Sequence, residues 1–262
     1  MMEFLLYYFQ VLLLTVGVLI IFGLLIYLCK RIFLYFVGHS FGYHVITATS
    51  IIGTPIHELG HAFMCILFRH KIVEIKLFQL NSEDNTLGYV SHEYNQKSFY
   101  QVLGNLFIGL GPIFSGLTAI FIILNFAFSG FTQSLLSAVG EGSNIFDTLW
   151  IQIDFVYWMY IDGDATLGLK IVSLILIFSI CLHVSLSDVD CKNSVKGFLY
   201  YAIIALVVSV ITYFLSVSDI VVDVLTSFSA IIVPLFLLVF IFSLALVILS
   251  VIFAGIKLIF VR

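Results

Sequence analysis

The segment from Phe4 to Cys29 contains no charged residue. Wound as a helix at 1.5 Å per residue, it is long enough to cross a hydrocarbon layer about 30 Å thick. Five further apolar runs follow, at about 44–68, 102–126, 168–190, 197–216 and 230–256. A soluble domain is about a quarter charged, whereas charged residues make up 10% of this chain. Mean hydropathy is +1.19. The expectation is an all-α polytopic membrane protein of about six transmembrane helices, forming a single domain over residues 1–262. The first run is too long for a signal-peptide core, and no small-residue cleavage signal follows it.

The placement of charge predicts orientation. Arg69, Lys71, Lys76 and Lys97 lie between the second and third runs, Lys192 and Lys196 between the fourth and fifth, and Lys257 and Arg262 after the sixth. Between Phe126 and Leu169 there is no Lys or Arg, but there are Glu141, Asp147, Asp154, Asp162 and Asp164. If six spans alternate, these groups fall on opposite faces, with Asp219 and Asp223 on the acidic one. The positive-inside rule then makes both termini cytoplasmic. Lys30 and Arg31 run against this pattern. The four cysteines, Cys29, Cys65, Cys181 and Cys191, show no CxxC spacing and read as free thiols. A net charge of −4 without a basic run excludes a nucleic-acid surface.

Within the second run stands His57-Glu58-Leu59-Gly60-His61. Residues four apart share a helix face, so His57 and His61 can point at one ion. Neutral imidazoles suit Zn²⁺, and a catalytic zinc keeps a position open for water. Glu58, beside the first histidine, is placed to take that water's proton. Ionisable groups at membrane depth are expensive to insert, which favours a functional reading over a chance match. Gly53-Thr54-Pro55 just upstream reads either as a helix start inside the membrane, with Thr54 as cap, or as a proline kink.

A third ligand is needed, and topology narrows the search. His183 and Asp190 lie seven residues apart near the end of the fourth run, about two helical turns, so both can face one seam. His183 reads as a ligand or as a partner that orients one. Asp190 reads as a ligand or as a solvated acid beside Lys192, and Asp188 as a solvated helix-end charge. Asp162 and Asp164 fall on the far side of the fourth run, and Glu141 is disfavoured for the same reason. Asn105, in the Gly-rich third run, is either an interhelical hydrogen-bonding residue or an amide that polarises a substrate carbonyl. Residues 71–79 and 87–95 alternate polar and apolar around the turn-forming Asn81–Asn85, which predicts a cytoplasmic β-hairpin. That hairpin is either a plain connection or an edge able to hold a substrate extended by strand addition.

His57-Glu58-Leu59-Gly60-His61-Ala62 in a membrane run, a short β element after it and a later Asp together resemble the site-2 protease family of intramembrane zinc metalloproteases. The resemblance implies a multi-pass helical core and hydrolysis of a peptide bond in a membrane protein or membrane-associated peptide. It also implies zinc held by two His and one Asp, with the Glu as base. His57, His61 and Glu58 match the motif directly. The family's second motif, Leu-Asp-Gly or Pro-Asp-Gly with an upstream Asn and Pro, is absent, and Asp190 stands in its place by position. The alternative function is a non-proteolytic membrane metal-binding protein or metal transporter.

Overall fold

The computed structural model describes residues 1–80, 86–133, 135 and 145–260. Helix α1 (Met2–Leu12) passes through a π-helical turn at Leu13–Gly17 into α2 (Val18–Val37). The Thr15 hydroxyl bonds to the Val11 carbonyl at 2.7 Å, which takes up a helix acceptor just where the extra residue is wound in. Gly38, at φ +82°, ends α2 in a conformation open to glycine. Then follow α3 (His39–Leu67), β1 (Lys71–Lys76), β2 (Tyr89–Glu93) and α4 (Phe99–Ala127). The remaining helices are α5 (Ile145–Ile161), α6 (Leu167–His183), α7 (Asp188–Phe214) and α8 (Ser218–Phe260).

The all-helical class with a small sheet is as expected. The count of six spans is only partly met. Among the described residues, four helices are long and apolar enough to cross a membrane: Met2–Val37, Phe99–Ala127, Asp188–Phe214 and Ser218–Ile256. Leu167–His183 is apolar but shorter, and the helix bearing His57 is not among the four. The segment around Trp150 and Trp158, which falls between the third and fourth apolar runs of the sequence, is helix α5.

Simple alternation of six spans does not describe the packing. Glu3 shares a cavity with Asp219 and Asp223, the Tyr7 hydroxyl lies 2.7 Å from that of Thr212, and Phe4 meets Tyr213 edge-on. At the far end of α8, Phe253 stacks on Phe41. Asp219 and Phe253 are about 50 Å apart along a helix rising 1.5 Å per residue. The N-terminus and the end of α8 therefore lie at opposite ends of the bundle, and the expectation of both termini on one cytoplasmic face is not supported. The reason is that α6 and α7 are not a hairpin of two spans. They are consecutive helices broken at Val184–Ser187, packed on α3 and α4 rather than on each other.

The proline in α3 does not start a helix. Pro55 lies inside a continuous 29-residue helix, and the Thr54 side chain faces His183 instead of capping. The sheet is a two-stranded antiparallel ribbon, pairing Lys71 with Glu93 and Lys76 with Tyr89, with a bulge between Ile72 and Glu74. The expected turn at Asn81–Asn85 lies outside the described residues. Between the helices, Phe22, Leu106, Leu110, Ile113, Leu186 and Phe236 form a buried cluster that joins α2, α4 and α8 beside the α6–α7 break. It sets the floor on which the polar residues of α3 and α7 meet.

Candidate metal centre

Close helix approach brings the site together. A Cβ on Gly60 would lie 2.5 Å from the Gly111 carbonyl oxygen, and one on Gly111 would lie 2.5 Å from that of Gly60. The backbones of α3 and α4 are thus in van der Waals contact one residue from His61. Gly109 does the same for α7, whose Ser194 and Asp190 backbone would meet any side chain there. The small residues of α4 are packing residues, and what they pack is the site.

His57 Nε2 and His61 Nε2 are 3.1 Å apart. Asp190 Oδ1 is 3.3 Å from His61 Nε2, and its Oδ2 is 3.9 Å from His57 Nε2. One ligand atom from each of the three lies within 4.8 Å of the others, the one such group of three found among the described residues. In a tetrahedral zinc site with bonds of about 2.0–2.1 Å, ligand atoms stand about 3.3–3.4 Å apart. The spacing therefore fits a small tetrahedral ion.

The tautomers fit as well. His57 Nδ1 donates to the His183 carbonyl at 2.7 Å, and His61 Nδ1 donates to the Ile108 carbonyl at 2.8 Å. A carbonyl only accepts, so each neutral ring carries its proton on Nδ1 and turns an Nε2 lone pair inward. Two lone pairs and a carboxylate facing one point repel one another unless a cation lies between them. This donor set suits a divalent ion with nitrogen and oxygen ligands.

Both carbonyls are available for a reason. His183 is the last residue of α6, where helix carbonyls lose their partners. Ile108 stands four residues before Pro112, which has no N–H to offer it. Asp190 is oriented by the start of α7. Ser187 Oγ accepts from Asp190 N–H at 3.1 Å, and Asp190 Oδ2 accepts from Ser187 N–H at 2.9 Å, a reciprocal capping box.

Glu58 is buried at 6% exposure and has no hydrogen-bond or ion-pair partner among the described residues. The chain entering β2 runs over it, since a Cβ on Gly88 would lie 3.0 Å from Glu58 Cγ. Asn105 is buried on α4 and lines the same cavity, with Nδ2 donating to Val102 O at 3.3 Å. His183 is not in the group of three. Its ring nitrogens face Thr49 at 3.1 Å and Thr54 at 3.4 Å, and it reaches His57 through its backbone oxygen. Asp188 is exposed, Asp164 pairs with Ser129 away from the site, and Glu141 lies outside the described residues.

A cavity of about 710 Å³ joins these groups. Its walls come from α2 (Tyr27, Lys30, Arg31), α3, the chain from Thr86 to Val90, α4 and the α6–α7 break. No protein-family model, no curated protein and no solved structure matches this chain.

Proposed function

We propose that this chain is an intramembrane zinc metalloprotease of the kind its motif resembles, hydrolysing a peptide bond in a membrane protein or membrane-associated peptide. The observation that supports this most is the convergence of two Nε2 lone pairs and the Asp190 carboxylate beside an unpartnered Glu58 in an open cavity. His57, His61 and Asp190 are the residues that would hold the ion. When bound, zinc supplies a Lewis acid that polarises a scissile carbonyl and acidifies a water. Glu58 takes the proton of the attacking water and passes it to the departing amide nitrogen. Among the described residues no hydrogen-bond or ion-pair partner competes for its carboxylate, so it is free to do both. The second amide N–H of Asn105, without a partner among the described residues, is a donor for the carbonyl oxygen as negative charge gathers there. The chain from Thr86 to Val90, laid against Glu58, is the edge against which an unwound substrate strand would align. Unwinding is required because a helical substrate ties up its own carbonyls.

The test compares bound zinc with cleavage of single-span membrane peptides in detergent, products being read by mass spectrometry. Glu58→Gln is expected to retain zinc and lose cleavage by a factor of at least about 100. Asp190→Ala is expected to lose both, and His183→Ala to keep zinc. Cleavage that survives Glu58→Gln sinks the proposal.

A further inference from the structure

Lys30 is unexplained by anything above. It lies on α2, within one of the four apolar spans, and is partly buried. Its ammonium lies 3.4 Å from Ser185 Oγ in the α6–α7 break, and no carboxylate lies within 4.0 Å of it among the described residues. A lysine at membrane depth normally snorkels to water or finds an acid. This one lines the cavity of the candidate metal centre together with His57 and His183. Arg31 lines the same wall. It is exposed and has no acid partner among the described residues, and its guanidinium turns to Tyr27, 3.5 Å from the hydroxyl and 5.9 Å from the ring centre.

The charge balance sharpens this. Asp190 and Glu58 do no more than offset a divalent ion on the triad. Asp188, the third acid lining the cavity, is exposed and pairs with neither cation. The loaded cavity therefore holds a cationic wall in which Lys30 is partly buried with the Ser185 hydroxyl as its polar contact, while Arg31 rests exposed against Tyr27. An uncompensated buried charge is costly, and an incoming anion relieves that cost.

We infer that Lys30 and Ser185, with Arg31 beside them, form a subsite for a carboxylate on the substrate. Resting on the protease reading, this makes Lys30 a specificity-determining residue, selecting segments with an acidic group within a few residues of the scissile bond. Two sources share that chemistry, an Asp or Glu side chain and a free C-terminal carboxylate.

Binding to the full-length Glu58→Gln protein, which keeps the cavity but does not cut, tests the inference without catalysis. The probes are fluorescent single-span peptides with Asp walked across the segment, each paired with its Asn twin, and every peptide made with a free or an amidated C-terminus. One register is expected to bind about tenfold tighter as Asp than as Asn, a difference of about 1.4 kcal/mol. That preference is expected to vanish in Lys30→Met, which keeps side-chain length without charge, and to persist in Lys30→Arg. A preference that tracks the free C-terminus instead of Asp also supports the subsite and assigns it to chain ends. Equal binding of every charged and neutral pair overturns the inference, as does a preference that survives Lys30→Met. Should wild type cleave none of the bound peptides, the protease reading falls while the binding comparison still decides the subsite.

Discussion

Pro112→Ala is the substitution whose outcome the geometry constrains most tightly. Proline in a helix interior costs roughly 3 kcal/mol relative to alanine, through the missing N–H and the ring's clash with the carbonyl four residues back. Here that carbonyl belongs to Ile108, and it holds His61 Nδ1 at 2.8 Å. Alanine at 112 returns an N–H to the helix ladder, worth about 1 kcal/mol net, and that N–H competes for the same oxygen. His61 then loses the partner that sets its tautomer. Losses of this kind weaken metal affinity about 10- to 100-fold, or about 1.4–2.7 kcal/mol. The expected result is a divergence, with the metal-free variant at least as resistant to thermal unfolding in detergent as wild type and its zinc affinity at least tenfold weaker. A competing chromophoric chelator measures the second quantity. Affinity within about twofold of wild type refutes the reasoning, for which we take tenfold as the least loss consistent with an orienting hydrogen bond. Weakened affinity together with weakened stability would mean that the proline ring acts by packing, and would refute it equally.

Three further outcomes follow from the same geometry. Gly60→Ala puts a methyl 2.5 Å from the Gly111 carbonyl oxygen, so α3 and α4 must part; it is expected to destabilise the fold by about 1–3 kcal/mol and to weaken zinc binding. A stable variant with intact affinity would show that the helices do not need this contact. Ser187→Ala removes the cap of α7 and is expected to cost about 1 kcal/mol of stability, with less loss of zinc than Asp190→Ala, both read on the same samples. His70 and His92, whose Nδ1 atoms are 3.1 Å apart at the hairpin, are both held below the ordinary histidine value of 6.5. Burial is the main cause for each, with the charges of His70 and His61 adding for His92. Lowered folded values mean that the unfolded chain binds protons first, so hairpin stability is full above pH 6.5 and declines as pH falls below it. Hydrogen exchange of the β1 and β2 amides measures this, and unchanged protection between about pH 7.5 and 5 would count against it.

Side-chain chemistry at helical spacing was readable in the chain; backbone chemistry was not. The pairing of His57 with His61 follows from four-residue spacing, and Asp190 was reachable from its place seven residues after His183 near the end of the fourth apolar run. Ser187-x-x-Asp190 is itself a capping signature, so the sequence carried a signal for the orientation of that carboxylate. Pro112 carried another, because a proline identifies the carbonyl four residues earlier as unpaired. What that carbonyl would meet depends on how α3 crosses α4, and no spacing rule contains the crossing. His183 shows the same limit. Its ring invited a ligand role, but the geometry uses its backbone oxygen, which any residue at that place would provide. The count of six spans is not confirmed, because apolar length says nothing about whether two neighbouring runs turn back on each other or continue past a break. Lys30 and Arg31 looked like exceptions to a topology rule. Their setting in the cavity gives them a different meaning.

The interruption at Val184–Ser187 has a further consequence. A helix that ends in the middle of a hydrocarbon layer exposes unbonded peptide groups, and lipid offers them nothing. The His183 oxygen and the Ser187 amide are met by the imidazole and carboxylate of the site, the Val184 amide and the Ser187 carbonyl by the adjoining helix turns, and the peptide groups left between them need solvent. For a break at that depth, hydration of this chamber is a condition of insertion before it is a condition of chemistry. A substrate that fills the chamber must replace the hydrogen bonds of the water it drives out, which favours an extended peptide over any purely greasy guest.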